Sequence, residues 1–252
     1  MRILAIGNSF WTMIVSTRQH ILRNFSAHAQ GMEALVDCDF WSKRTIVEDG
    51  HQYWRTLFRY EGKHEVYPVF SPIYQDAVLS DTYKKTLKAQ FVQLRRWAWG
   101  ASDIAYVIYT GFVKKNQVPK KELFVKTVRL IDSHLSWATA PLILAFAASI
   151  PSFINPAAKD SIVANQLPQI ANYIQTIALS GILVTLFISM KLLPPKPARY
   201  KKKMHILVIF QWALMPVTSI IYNASAAIYS QTRLMFGRYL GTFDVTDKAV
   251  KK

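Results

Sequence analysis

Three long stretches of the chain are apolar and carry no charged side chain. Residues 133–158, 161–190 and 204–232 contain no Asp, Glu, Lys or Arg. A helix of roughly 20 apolar residues crosses the hydrocarbon core of a bilayer, because it satisfies its own backbone hydrogen bonds there. The pattern therefore predicts membrane helices at about 135–154 and 170–190.

The third apolar stretch is less regular than the other two. It contains Pro216, Asn223 and several serines, so residues 204–230 are expected to span with a kink, to re-enter, or to lie in the interface. Residues 191–203 hold six basic side chains and no acidic one, which places this connection in the cytosol. The first 130 residues show no secretory signal and are expected there too. An interfacial or re-entrant third segment would keep the basic tail on the same side.

Residues 45–60 predict a strand, an acidic corner and a helix. Residues 45–47 are β-branched, which favours a strand. Tyr53, Trp54, Leu57 and Phe58 then recur at helical spacing. Glu48 and Asp49 would lie at the carboxyl end of that strand, a usual place for catalytic carboxylates in α/β proteins. The alternative is that Asp49 is an N-cap, with Gln52 completing a partial capping box.

Residues 84–99 predict a helix with three distinct faces. The first is an apolar stripe of Leu87, Phe91, Leu94 and Ala98, flanked by Lys88 and Arg95. Gln93, Arg96 and Trp97 cluster on a separate side, because they are spaced three and four residues apart. An amide, a guanidinium and an indole together suit a carbohydrate or a pyrophosphate. The alternative is an amphipathic anchor with snorkelling arginines and an interfacial tryptophan.

Composition and charge narrow the function classes. The 252 residues are 51% hydrophobic, with 31 Lys and Arg against 15 Asp and Glu, a net charge of +16. That content is too apolar for a disordered basic tail. The basic residues flank the apolar spans, so membrane lipid rather than nucleic acid is the expected partner. Cys38 is the only cysteine, which excludes an intrachain disulfide and a cysteine-based zinc site.

The order of these stretches resembles the membrane-embedded family 2 glycosyltransferases, the group of cellulose and hyaluronan synthases. In that family an E-D pair is followed by a Q-x-x-R-W helix and then by membrane spans. The matching residues here are Glu48 and Asp49, then Gln93, Arg96 and Trp97. In the tail, Phe243, Val245, Thr246 and Lys248 resemble the F-x-V-T-x-K gating loop of the cellulose synthases.

The resemblance implies an α/β fold with transmembrane helices. Residues 1–133 would be the later part of a GT-A-like domain that ends in interfacial helices. Residues 134–231 would hold two or three membrane helices, and residues 232–252 a basic cytosolic tail with the gating loop. The protein would be a multi-pass protein of the plasma (inner) membrane with its soluble part in the cytosol.

The resemblance also implies an inverting transfer of sugar from a nucleotide-sugar donor to a glycan or lipid-linked acceptor. Asp49 would be the general base, and Glu48 would orient it. Gln93 and Arg96 would contact the donor diphosphate or the acceptor, while Trp97 would form the platform under the terminal sugar. Thr246 and Lys248 would close over the nucleotide.

Two features of the family are not found in this sequence. Its members carry an upstream nucleotide-binding half with a D-x-D that holds Mg²⁺ or Mn²⁺, whereas about 47 residues precede Glu48 here. Asp37, Cys38 and Asp39 spell D-x-D, but so close to Glu48 that the match is taken as chance, and the metal site is expected outside this chain. Val47 also stands where many members have Thr. We therefore expect the C-terminal half of a transferase, either a fragment or one piece of a split enzyme that needs a partner.

The competing hypothesis is a non-enzymatic membrane subunit of a polysaccharide synthase. In that case Asp49 is a helix cap and the helix around Gln93 is a membrane anchor. A transporter is disfavoured, because the predicted spans contain no charged residue that would form an ion path.

Overall fold

The computed structural model describes residues 2–71, 73, 76–192 and 210–246, and the regular elements in these ranges are helices. The α-helices are α1 Arg2–Ser16, α2 Met32–Asp37, α3 Glu48–Arg59, α4 Tyr83–Ala98, α5 Ser102–Ile108, α6 Lys120–Phe146, α7 Ile150–Ile154, α8 Ile162–Leu192, α9 Met215–Thr218 and α10 Ser225–Met235. Two π-helical segments, Tyr109–Val113 and Ser219–Ala224, extend α5 and join α9 to α10.

The expected α/β, GT-A-like domain is wrong. The described part of the chain contains no strand or sheet, and residues 45–47 form an irregular connection between α2 and α3. A short strand is stable only with neighbours that pair with its backbone. Within residues 45–47 the Val47 N–H donates to the Thr45 hydroxyl at 3.3 Å. Earlier in the connection the Arg55 guanidinium donates to the carbonyl oxygens of Cys38 and Phe40.

Helix α3 is predicted by its sequence and is ended by a glycine. Acidic residues occupy its first turn and Arg59 its last, which suits the helix dipole at both ends. After the helix, Gly62 has a φ of 92° and donates from its N–H to the Leu57 carbonyl oxygen at 2.8 Å. This closure satisfies a terminal carbonyl in a left-handed conformation that glycine adopts without strain.

The largest apolar core lies between α3, α5 and the first half of α6. Its fully buried members are Tyr53, Trp54, Leu57, Val107, Val118, Leu123 and Leu130. Gly111 brings the π-helical segment close to this core, since a Cβ atom there would lie 2.6 Å from Leu123 Cδ2. Tight packing at this point therefore requires glycine.

The two halves of helix α6 differ in how deeply their side chains are buried. Its buried residues are Leu123, Thr127, Leu130, His134 and Ala138, spaced three or four apart. That spacing marks one helix face packed against the rest of the chain. Pro141 lies inside the helix, and beyond it Ile143, Leu144 and Phe146 are exposed.

Two helical stretches are long and apolar enough to cross a membrane, Lys120–Ile154 and Ile162–Ile188. They overlap the spans expected at 135–154 and 170–190. The large apolar side chains of the second stretch are exposed along most of its length, including Ile174, Ile177, Leu183 and Phe187.

The described part of the third apolar segment folds back on α4 and α6. Ala224, Ala226, Ala227 and Ser230 are completely buried there. The Ser230 hydroxyl donates to the Arg95 carbonyl oxygen at 2.8 Å, and the Gln231 amide to that of His134 at 2.8 Å. Residues 204–209 of the expected span lie outside the described residues. The part at 224–230 thus packs on α4 and α6, whereas Phe210, Leu214, Val217 and Ile221 earlier in the segment are exposed.

Candidate functional site

Glu48 and Asp49 are the first two residues of α3. The N-cap is Val47, and no side chain caps the helix. The Asp49 carboxylate accepts from the adjacent Gly50 N–H at 2.7 Å. The capping-box alternative for Asp49 is therefore wrong, as is the strand before it. Both carboxylates are half-buried at the positive end of the helix dipole, where negative charge is stabilised.

The two carboxylates face an open cavity of about 430 Å³. Its lining residues are Ser26, His28, Trp41, Glu48 and Asp49. This volume falls within the roughly 300–1,000 Å³ of small-molecule pockets. The cavity combines two acids with an indole, an imidazole and a hydroxyl, and no sequence motif pointed to the last three.

Arg96 links the helix that carries it to the tail. Helix α4 forms at the predicted place, and Leu94 and Ala98 of its apolar stripe are fully buried. Arg96 Nη1 donates to the Asp244 carbonyl oxygen at 2.8 Å, and its guanidinium lies 4.4 Å from the centre of the Phe243 ring. The neighbouring Arg95 forms an ion pair with the Asp244 carboxylate. Two arginines of α4 thus hold the tail segment against the helix.

The same guanidinium is in electrostatic reach of the α3 carboxylates. Burial lowers the pKa of Arg96, whereas the charges of Glu48, Asp49 and Asp244 act to raise it. No ion pair within the described residues joins Arg96 to Glu48 or Asp49. The charges of the two acids therefore act on Arg96 without a direct contact.

The remaining residues predicted for the site are less closely gathered. Gln93 is half-buried and accepts a hydrogen bond from the Gln90 amide at 3.2 Å. Trp97 is 39% exposed and lines neither this cavity nor a second one between α4 and the tail. The Thr246 hydroxyl is buried and has no hydrogen-bond partner among the described residues. Lys248 lies outside the described residues.

The second cavity lies between the basic side of α4 and the tail. It measures about 460 Å³ and is lined by Lys85, Lys88, Ala89, Val92 and residues 242–245. Its two lysines are exposed, so it opens toward solvent or lipid headgroups rather than toward the α3 carboxylates.

A buried histidine–aspartate hydrogen bond lies next to the acidic site and was missed by sequence reasoning. His51 Nδ1 and Asp103 Oδ1 are 2.6 Å apart, and Asp103 is only 4% exposed. Burial raises the pKa of Asp103, while His51 and Arg23 act to lower it. The available signal was that Asp103 is the single charged residue between positions 97 and 113. Such an isolated charge in an apolar stretch calls for a buried partner.

The D-x-D residues do not form a metal site. Asp37 accepts from the Tyr60 hydroxyl at 2.7 Å, and this hydrogen bond raises the pKa of Tyr60 to about 12. Cys38 is buried against the Thr56 hydroxyl, and Asp39 is exposed. The described residues contain no group of three or more His, Cys, Asp or Glu side chains that could hold a metal ion.

Two carboxylates, an indole, an imidazole and a hydroxyl border one cavity, and Arg96 lies close enough for the charges of Glu48 and Asp49 to act on it. These groups suit proton abstraction from a hydroxyl beside a polar, ring-shaped ligand. Comparisons with protein-family models, curated proteins and solved structures gave no match for this chain.

Proposed function

We propose that this chain forms the acceptor side of a membrane-bound inverting glycosyltransferase. The enzyme would transfer a sugar from a nucleotide-sugar donor to a hydroxyl of a polysaccharide or lipid-linked glycan. The observation that carries the proposal is the convergence at Arg96. Its guanidinium contacts Asp244 and Phe243 of the tail, and the charges of Glu48 and Asp49 act to raise its pKa.

The convergence matters because the three motifs are far apart in sequence. Arg96 and Asp244 are 148 residues apart, and the intervening chain includes both membrane-length helices. Bringing together two segments so far apart in the chain costs conformational entropy, which the contacts between them must offset. The resemblance to family 2 transferases expects these segments to share a site, and their proximity supports that reading.

The chemistry follows from the carboxylate that borders the cavity. Asp49 would accept the proton of an acceptor hydroxyl as its oxygen bonds to the anomeric carbon of the donor. The bond from that carbon to the diphosphate oxygen breaks on the opposite face, and the diphosphate leaves with the electron pair. Glu48 would keep Asp49 oriented, and Arg96 would balance the negative charge that gathers around the reacting groups.

The contacts between α4 and the tail also constrain membrane topology. Because Arg96 touches Asp244, we expect α4 and the tail to lie on the same side of the bilayer. An even number of crossings must then separate them. Lys120–Ile154 and Ile162–Ile188 provide two, which favours an interfacial third segment.

Charge around the first span supports a cytosolic location for that side. Lys114, Lys115, Lys120, Lys121 and Lys126 precede or begin the first span. Basic residues near span ends favour the cytosolic face and attract anionic lipid. We therefore infer a multi-pass inner-membrane protein with its catalytic groups in the cytosol.

The test is sugar transfer in the protein's own membranes. Asp49→Asn should lower the incorporation of radiolabelled sugar from nucleotide-sugar donors by about 100-fold or more, because the base is removed while the side-chain shape is kept. Asp81→Asn is the matched control, since Asp81 is exposed and forms an ion pair with exposed Lys85 away from the cavity. Immunoblots would equalise protein amounts. Unchanged transfer by Asp49→Asn would refute the catalytic role.

One observation favours a second candidate, a non-catalytic subunit of a polysaccharide synthase. The described residues lack the parallel sheet on which nucleotides usually bind, so the donor must be held by residues outside them or by another chain. In this case Asp49→Asn would leave sugar transfer intact, whereas loss of the whole chain would reduce it.

A further inference from the structure

We infer that Trp41, rather than Trp97, is the stacking platform of an acceptor-sugar subsite next to Asp49. This inference rests on the proposed function and assigns a place to its acceptor. The ligand class is a neutral pyranose at the end of a glycan.

The position of Trp41 is the first argument. Trp41 lines the same cavity of about 430 Å³ as Glu48 and Asp49. It is 39% exposed, so part of its ring surface is available to a ligand. Trp97 is exposed to the same extent but does not line this cavity. A sugar stacked on Trp41 would therefore be beside the carboxylate that takes its proton.

The orientation of the indole is fixed by a relay of two hydrogen bonds. His28 Nδ1 lies 2.7 Å from the Phe25 carbonyl oxygen, which can only accept, so Nδ1 carries the proton. His28 Nε2 is then an acceptor for the indole N–H of Trp41 at 3.4 Å. The two rings meet edge to face with centroids 6.2 Å apart. The indole N–H therefore has a hydrogen-bond partner within the protein. The apolar faces of the ring can contact a ligand while this bond is kept.

The groups around the indole match the two kinds of surface on a pyranose. The ring C–H groups form an apolar face that packs on an aromatic side chain. The hydroxyls at the rim need hydrogen-bond partners, which the Glu48 and Asp49 carboxylates and the Ser26 hydroxyl offer.

Charge decides which part of the reaction this cavity binds. Two carboxylates border it, and no arginine or lysine is among its lining residues. A nucleoside diphosphate would be repelled by these acids. A neutral acceptor sugar would not, so the cavity fits the acceptor better than the donor phosphates.

Fluorine NMR of the full chain in detergent micelles tests the subsite directly. The seven tryptophans would be labelled with 5-fluorotryptophan, and Trp41→Phe and Trp97→Phe would assign their resonances. The probes are a β-linked glucose tetramer and an N-acetylglucosamine tetramer, with glycerol as the polyol control. We expect the Trp41 resonance to shift saturably with at least one tetramer and not with glycerol.

Variants add a measure of affinity. Trp41→Ala should weaken tetramer binding by about tenfold, as expected for loss of one aromatic contact, and Trp41→Tyr should restore most of it. Trp97→Ala is the control, because Trp97 is as exposed as Trp41, at 39%, and does not line the cavity. If Trp41→Ala fails to fold, the titration of the unmutated chain still decides the matter.

The outcomes separate this inference from the proposed function. A shift of the Trp97 resonance without one of Trp41, or no shift with either tetramer, would overturn the subsite. Sugar transfer that still depends on Asp49 would then leave the transferase standing without it. Transfer that is indifferent to Asp49→Asn would instead reject the transferase, and a Trp41 shift would remain as evidence for a glycan-binding site alone.

Discussion

The two halves of α6 contain similar apolar residues but are covered by different partners. In the first half Leu123, Thr127 and Leu130 form a buried face, and most side chains between them are exposed. In the second half Ile143, Leu144 and Phe146 are all more than half exposed. The periodic pattern belongs to a helix that packs on its own chain. An apolar surface on all sides belongs to a helix that lipid can cover.

The contrast extends to the neighbouring helices. Helix α3 buries Tyr53, Trp54 and Leu57 almost completely, although its sequence is on average polar. Helix α8 is strongly apolar and yet exposes most of its large side chains. Mean hydropathy therefore does not tell which surface a residue meets, whereas the spacing of apolar positions does.

The strongest way to break this comparison is to make the same truncation in each region. Leu123→Ala should cost about 2–5 kcal/mol in the free energy of unfolding, because a fully buried side chain leaves a cavity. Leu183→Ala in α8 should cost much less, since Leu183 is 67% exposed. Urea unfolding in detergent micelles measures both. Equal losses would mean that α8 packs against protein as tightly as the core does.

A charge placed in an exposed apolar position tests what covers α8. Ile177 lies near the middle of the second span and is 73% exposed. Ile177→Lys should oppose membrane insertion by about 3 kcal/mol, measured as the fraction of chain resistant to alkaline extraction. Val36→Lys is the control, because Val36 is 57% exposed on α2 and is not expected to meet lipid. Normal insertion of Ile177→Lys would contradict a lipid-facing α8.

Two glycine-to-alanine substitutions compare the same two regions by adding one methyl group to each. Gly111→Ala should destabilise the fold by about 1–3 kcal/mol, since the added Cβ would press on buried Leu123. Gly181→Ala in α8 meets nothing within 4 Å and should be neutral or slightly stabilising through its helix propensity. Thermal unfolding in micelles compares the pair. A neutral Gly111→Ala would show that the core yields at this point.

The smallest expected effect is a pH dependence confined to the packed region. Burial, with a smaller contribution from Lys126, lowers the pKa of His64 from 6.5. The folded state thus favours the neutral ring, and its stabilising effect is present above pH 6.5 and lost as the pH falls through the folded-state pKa. Residues 161–190 contain no histidine or charged residue, so α8 should contribute nothing to this change.

The measurement is the melting temperature at pH 7.5 and at pH 5.5. The unmutated chain should lose more stability between these values than His64→Phe, which cannot take up a proton. Equal losses in both proteins would assign the acid sensitivity to other groups.

The sequence predicted the elements whose stability is local or set by lipid. Helix α4 was expected at 84–99 and forms at Tyr83–Ala98. The two spans were expected from charge-free stretches and lie in the two membrane-length helices. Both predictions depend on a pattern repeated over several turns, which is the most robust sequence signal.

The failures concern short patterns whose outcome depends on distant residues. Residues 45–47 have β-branched side chains, but no neighbouring strand exists in the described chain, and the Val47 N–H donates to the Thr45 hydroxyl instead. His28 and Trp41 line the same cavity, but no spacing in the sequence predicts that they lie together. Asp103 was noticeable as an isolated charge, yet its partner His51 lies 52 residues away.

Pro141 lets helix α6 bend between its packed and exposed halves. It stands between the packed and exposed halves of α6, and it cannot donate to the carbonyl oxygen four residues before it, so the helix bends there at low cost. We expect the exposed half of α6 to change its tilt with bilayer thickness, while the bend at Pro141 leaves the packed half in place. The carboxylates at the start of α3 would then keep their geometry in membranes of different lipid composition.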